Sequence, residues 1–217
     1  MKDLQFAKRV VFVSSLVPAV MLTIDFFDGD AGADRAFYLM RSTGLCAMIF
    51  LALSLAVTPL RRITGKNYWS IFRRMLGLYA FFYASLHFLT YLIGYQGGNP
   101  VGVYREMMKS KFVFFGLAAL LMMVPLAATS TAWAVKRMGN KKWKRLHRLV
   151  YLCAISAAVH YLMQGKVLTL QPIVFAAVLV GLVADRPLAW GRNKWLPAPK
   201  PKRSMGSVVP MAPKGEG

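Results

Sequence analysis

The sequence predicts an all-α, polytopic membrane bundle of about six transmembrane helices with both termini in the cytoplasm. Three observations lead there. Of the 217 residues 57% are hydrophobic and the mean hydropathy is +0.45, too apolar for one soluble core of this length. The apolar residues fall into runs of the size that crosses hydrocarbon about 30 Å thick. The 28 Lys and Arg outweigh 8 Asp and Glu, giving a formal charge of +20, and they sit between those runs. In a soluble chain that charge would suggest nucleic acid. Here no soluble segment is long enough to fold as a binding domain, so the charge reads as topology, and nucleic-acid binding is set aside.

Spans are expected near residues 10–24, 43–60, 75–94, 112–133, 148–163 and 168–184. Several are short, so flanking Lys and Arg are expected to snorkel to the interface. Pro18 and Pro125 lie inside the first and fourth spans, where kinks are expected and neighbouring helices satisfy the freed carbonyls. The basic start (Lys2, Lys8, Arg9), apolar stretch and Ala31-Gly32-Ala33 resemble a signal peptide. Asp25, Asp28 and Asp30 crowd the would-be cleavage region, so Val10 to Ile24 reads as a retained span. Cys46 and Cys153 lie in apolar runs and imply no disulfide framework.

Orientation follows from the cations. The N-terminal segment has three Lys or Arg, residues 61–74 five, residues 136–148 seven and the tail from Arg186 seven; the opposite loops hold six. The bias places both termini in the cytoplasm. The expected organisation is a cytoplasmic N-terminus at 1–9, a transmembrane domain at 10–186, and a basic cytoplasmic tail at 187–217. That tail is rich in Pro, Lys and Gly, lacks apolar periodicity and reads as disordered; its cations suit anionic lipid. Trp69, Tyr91, Tyr95, Trp133, Trp143 and Trp190 at span ends read as an interfacial aromatic belt. Most of the 13 methionines read as packing residues.

The chain has three histidines, His87 in span three and His147 and His160 in span five. The last two are 13 residues apart, about 20 Å of rise and roughly 220° past three full turns, so on an ideal helix they face different ways. His87 lies 13 residues beyond Arg74, which puts it at the depth of His160 in the outer half of the membrane. Two facing imidazoles on two helices are what six-coordinate haem b requires. The competing reading of any single intramembrane histidine is a helix-bridging hydrogen bond. His147, in KKWKRLHRLVY, is equally readable as an interfacial residue or as a ligand of a second, inner haem. Arg73 and Arg74 stand at its depth in span three, where a membrane-edge anchor is the plain alternative.

The stretches STGLCA at 42–47, LAVTPLRR at 55–62, RRMLGLYAFFYASLHFLTY at 73–91, TSTAW at 129–133 and GNKKWKRLHRLVYLCAISAAVHYL at 139–162 resemble the YedZ-type MsrQ family, the haem-binding membrane subunits of bacterial methionine sulfoxide reductase systems. The resemblance covers about residues 9–186 and places the chain in the ferric reductase-like transmembrane group. It implies one or two b-type haems, with His87, His160 and His147 on iron and Arg73 at the inner haem. Members of the wider group offer a histidine where this chain has Arg73, so the inner haem lacks an obvious sixth ligand. A guanidinium is protonated and suits a propionate better than iron.

The resemblance further implies a multi-pass protein of the bacterial inner membrane. Electrons would come from a cytoplasmic flavin reductase or from quinol and leave to a periplasmic molybdopterin-containing MsrP-like catalytic subunit that repairs oxidised methionine in envelope proteins. The chain itself is then an electron-transfer subunit not catalytic on the sulfoxide. FMN is associated with the family, but no stretch here is assignable to it. A stand-alone ferric or quinone reductase-type cytochrome b is the alternative. A proton-coupled transporter ranks third, because the expected spans hold no Asp or Glu to relay protons.

Overall fold

The computed structural model describes residues 2–29, 32–165 and 169–195, and among them every regular element is helical. The order is α1 (Lys2–Asp28), α2 (Arg35–Thr64), a 3-10 turn (Asn67–Trp69), α3 (Ser70–Gly94), α4 (Pro100–Lys109), α5 (Lys111–Ala128), α6 (Ala132–Met138), α7 (Asn140–Leu146), α8 (Leu149–Met163) and α9 (Leu170–Trp195). Among the described residues five stretches are long and apolar enough to cross a membrane: Leu4–Asp28, Arg35–Thr64, Asn67–Gly94, Lys111–Ala128 and Asn140–Met163. The expected sixth span falls on α9, whose apolar stretch Leu170–Asp185 is shorter than these. The chain divides after Asp185 into the bundle and a second unit beginning at Arg186. Helix α9 runs to Trp195, past the expected boundary at 186, and the tail from residue 196 lies outside the described residues.

Helix ends follow local chemistry. Asp34 accepts the Phe37 N–H at 2.8 Å to open α2, and Gly65 at φ +67° closes it in the left-handed region that a side chain resists. Arg61 and Arg62 in its last turn face the negative end of the helix dipole. The fourth span was expected to reach residue 133, but α5 stops at Ala128. Pro125 removes one N–H, and the hydroxyls of Thr129 and Ser130 bond back to Pro125 O at 2.6 Å and Leu126 O at 2.7 Å. Such side-chain bonds compete with the backbone ladder, and Thr131 then caps α6 through the Ala134 N–H at 3.1 Å. Pro125 therefore marks a helix end instead of a mid-span kink.

Helix α4 was not foreseen. Asn99 accepts from the N–H groups of Val101 and Gly102 at 3.0 and 3.3 Å, and Pro100 stands at the first helical position. The Asn-Pro pair was the available signal, hidden inside a loop too short and too polar for a span.

The bundle is organised around two packed pairs, α2 with α3 and α5 with α8. Its core gathers Leu55, Tyr83, Cys153 and Leu179, all with at most 1% exposure. Cys46 and Cys153 are free thiols. At the end of the bundle where α2 and the apolar part of α9 terminate, Arg62 pairs with Asp185 at 2.9 Å.

Helix α1 is held by two tyrosines one turn apart on α3. Tyr79 donates to Phe12 O at 2.9 Å; Tyr83 donates to Ser15 O at 2.7 Å and accepts the Ala19 N–H at 3.1 Å. Ser15 O and Ala19 N–H are the i, i+4 partners of one helical turn, so the phenol stands between them beside Pro18 and satisfies both. Phe50 of α2 stacks on Tyr83 with centroids 5.3 Å apart and fixes the ring. Tyr83→Phe is expected to lower stability by roughly 0.5–1.5 kcal/mol, since the two backbone groups can partly re-pair. A drop in the unfolding midpoint in mixed detergent micelles reads this out; an unchanged midpoint would show that the hydroxyl contributes nothing.

Candidate functional site

His87 on α3 and His160 on α8 are brought together as their matched depth foretold. Their ring centroids lie 6.0 Å apart at an interplanar angle of 80°. Each ring is held by the same device. His87 Nδ1 is 2.7 Å from Met40 O on α2, and His160 Nδ1 is 2.7 Å from Phe112 O on α5. A carbonyl only accepts, so each Nδ1 carries the proton, and Nε2 is left as the basic nitrogen of each ring.

Four residues after each carbonyl comes a glycine. A Cβ on Gly44 would lie 2.9 Å from His87 Nδ1, and one on Gly116 would lie 2.7 Å from His160 Nδ1 and 2.8 Å from its Cε1. Any larger residue would push the ring off the helix backbone and break the bond to the carbonyl. Glycine lets the imidazole lie against the partner helix, where a helical carbonyl still has a second lone pair to offer. Sequence reasoning missed both glycines and found no repeat. The signal was present: MRSTG at 40–44 and FVFFG at 112–116 precede the two histidines by nearly equal distances.

Between the two rings lies a cavity of about 400 Å³ lined by α2, α3, α4, α5 and α8. Leu51, Ala119, Met123 and Cys153 form one end of it, and Arg41, Tyr91, Tyr95, Tyr161 and Gln164 stand among its lining toward the α4 end. Tyr91 and Tyr95, expected in an interfacial belt, therefore face the cavity, with rings stacked 6.5 Å apart.

His147 is placed differently. It sits in the turn that separates α7 from α8, with its ring 4.0 Å from that of Trp143 and its Nε2 3.2 Å from Thr129 Oγ1. Trp143 Nε1 donates to Thr129 O at 2.9 Å, so Trp143 is a clasp on the end of α5 instead of a lipid-facing anchor. Thr129 already donates its own proton to Pro125 O at 2.6 Å, which leaves His147 Nε2–H to donate to the hydroxyl oxygen. His147 does not line the cavity, in keeping with the roughly 220° offset from His160. Arg73, part-buried on α3, lies within electrostatic reach of His147, and its carbonyl accepts the Ser54 hydroxyl at 3.1 Å.

A helical membrane bundle that presents two tautomer-fixed imidazoles at one largely apolar cavity defines a class, a polytopic membrane protein with two basic ring nitrogens gathered inside it. Residues 43–158 match the family model described as ferric reductase like transmembrane component. Proteins described as protein-methionine-sulfoxide reductase heme-binding subunit MsrQ are similar over most of their length. That of Ralstonia nicotianae is 40% identical across 85% of this chain and 86% of its own. That of Rhodospirillum rubrum is 40% identical across 86% and 90%, and that of Herminiimonas arsenicoxydans 38% identical across 88% of each. The chain belongs to the MsrQ family of ferric reductase-like membrane proteins.

Thr129→Val removes the acceptor of the His147 N–H. It is expected to cost about 1 kcal/mol and to speed amide exchange around the 146–149 turn about fivefold. Hydrogen-exchange mass spectrometry checks this, and unchanged protection in that turn would show that the clasp does not hold it.

Proposed function

We propose that the chain holds a b-type haem between His87 and His160 and carries electrons across the bacterial inner membrane to a periplasmic, molybdopterin-containing methionine sulfoxide reductase subunit. The single observation that carries this is the pair of facing imidazoles, each with its Nδ1–H committed to a carbonyl. Two imidazoles that shared one metal would stand with their centroids roughly 6 Å apart; the rings stand 6.0 Å apart. The cavity of about 400 Å³ is of the size that takes a cofactor, and its lining is mostly apolar. The residues therefore fit the group that the names of the relatives call heme.

When bound, haem supplies one-electron chemistry. The chain's own part would be to present the Nε2 of His87 and of His160 in the neutral tautomer and to hold the two rings at a set angle. If His87 and His160 both held the haem iron, the protein would offer a substrate no open position there, which suits a carrier and leaves the sulfoxide chemistry to the partner. The positive-inside bias puts this level in the periplasmic half and both termini in the cytoplasm, so electrons leave near α4 and the loops around 26–41 and 164–167. They enter from a cytoplasmic flavin reductase or from quinol. FMN remains without assignable residues.

The proximity of Arg73 to His147 supports an inner haem, with Arg73 facing a propionate. Filling that position requires the His147 ring to leave Thr129, since its Nε2–H is donated there. Haem quantification in His147→Ala and Arg73→Ala decides between one haem and two.

His87→Ala and His160→Ala are each expected to weaken haem retention by ~10-fold or more, since one axial bond is lost. Gly116→Ala, which pushes the ring instead of deleting it, is expected to shift the low-spin electron paramagnetic resonance signal while keeping part of the haem. Pyridine haemochrome assay and electron paramagnetic resonance of the purified protein measure these. Full haem content with unchanged spectra in both histidine variants would overturn the reading.

A further inference from the structure

The cavity between the histidines is polarised along the bundle axis. Leu51, Ala119, Met123 and Cys153 line its deep end. Arg41 lies within two turns of the start of α2, Tyr95 just past the end of α3, and Gln164 just past the end of α8, so charged and hydrogen-bonding groups gather at the α4 end.

Arg41 is the cation of this lining. It follows Met40, whose carbonyl holds His87, and precedes Gly44 by three residues, so it belongs to the level of the imidazoles. Tyr161 on α8 lines the same cavity. Among the described residues no carboxylate pairs with it. Carboxylates on α1, before α2 and on α4 have donors of their own: Asp25 takes the Tyr38 hydroxyl at 2.6 Å, Asp34 the Phe37 N–H at 2.8 Å and the Tyr95 hydroxyl at 3.3 Å, and Glu106 the Ser110 hydroxyl at 2.6 Å. A guanidinium at the mouth of an apolar cavity without a protein anion is set to receive the anion of whatever fills the cavity, and its planar fork matches a carboxylate.

We propose that Arg41 is the carboxylate-binding group of this pocket and takes the propionates of the haem, so that the porphyrin stands with its carboxylates toward α4 and its apolar edge toward Leu51 and Met123. This rests on the haem reading above. Haem is amphipathic in the same sense as the cavity, and the reverse orientation would bury two carboxylates against methionine and leucine with no donor. Tyr161 and Gln164 on the facing helix supply a hydroxyl and an amide at the same mouth. The exposed edge then lies at the membrane surface where the partner collects electrons.

The test uses purified full-length protein with its haem. A cation beside the propionates favours the reduced form, so Arg41→Gln is expected to lower the reduction equilibrium constant about two- to tenfold, ~20–60 mV for one electron. It is also expected to shift the propionate bending bands of the resonance Raman spectrum. Arg41→Lys, which keeps the charge, is expected to restore most of the potential and only part of the band position. Arg35→Gln, a cation on the same helix that lies over the Phe26 ring and outside the cavity, is expected to change neither. Unchanged propionate bands in Arg41→Gln would overturn the assignment even if the potential moved, since a distant charge or a free anion would do that. If Arg41→Gln does not fold, unchanged bands in Arg41→Lys overturn it equally. A wild-type protein without haem would sink both this and the reading it rests on, and its missing Soret band tells that failure apart.

Discussion

An imidazole inside a membrane must place its N–H somewhere, because hydrocarbon offers no acceptor and every buried donor left alone is costly. Here the acceptor is a carbonyl of a neighbouring helix that already serves its own ladder. Reaching it requires the ring to lie on the helix surface, and a Cβ at Gly44 or Gly116 would occupy that surface at under 3 Å. From this one hydrogen bond follow the tautomer of each ring, the identity of the basic nitrogen, the closeness of α2 to α3 and of α5 to α8, and the 6.0 Å between rings. Because the two pairs use the device in parallel, neither ring can turn without losing its donor's partner.

The rest of the bundle keeps that geometry from relaxing. Tyr79 and Tyr83 pin α1 to the far side of α3, and Phe50 stacks on Tyr83 from α2, so the α2/α3 pair is clamped one turn from His87. On the other pair, Ser156 donates to Phe115 O at 2.8 Å and Cys153 Sγ approaches Ala119 O at 3.5 Å, both within a turn or two of His160. At the opposite end Trp143 and His147 close on Thr129 and hold the end of α5 against the α7–α8 turn. Polar side chains thus serve as helix-to-helix ties at several depths, which is how packing gains direction where lipid removes the hydrophobic drive between helices.

Most of the architecture was legible because a membrane forces hydrophobic length and cation bias into the sequence. The membrane class and the approach of His87 to His160 follow from that arithmetic. Side-chain patterns carried less where backbone atoms do the work. Met40 and Phe112 act through their carbonyls, so residue type announces nothing, and their glycines read as ordinary small residues in apolar runs. Helix α4 is short and mixed, and the end of α5 is set by hydroxyls that a hydropathy scan scores as part of the span. The angular mismatch between His147 and His160 did contain its answer. Serving one bundle interior from both positions would take a helix bend or a differing reach of the two rings, whereas the turn at His147 puts its ring on Thr129.

The contrast between the two levels bears on what each can do. At the His87–His160 level each donor N–H ends on a backbone carbonyl, which neither titrates nor rotates, so each ring keeps one tautomer with Nε2 basic. At His147 the acceptor is a hydroxyl, which rotates and can exchange roles. A ring held that way can be released by a modest change at Thr129, whereas the outer rings are released only by moving a helix. Electron carriage through a fixed centre gains from the first arrangement, because ligands that stay put keep the rearrangement between oxidised and reduced forms small. The second arrangement leaves the His147 ring adaptable, since a change at one hydroxyl is enough to move it.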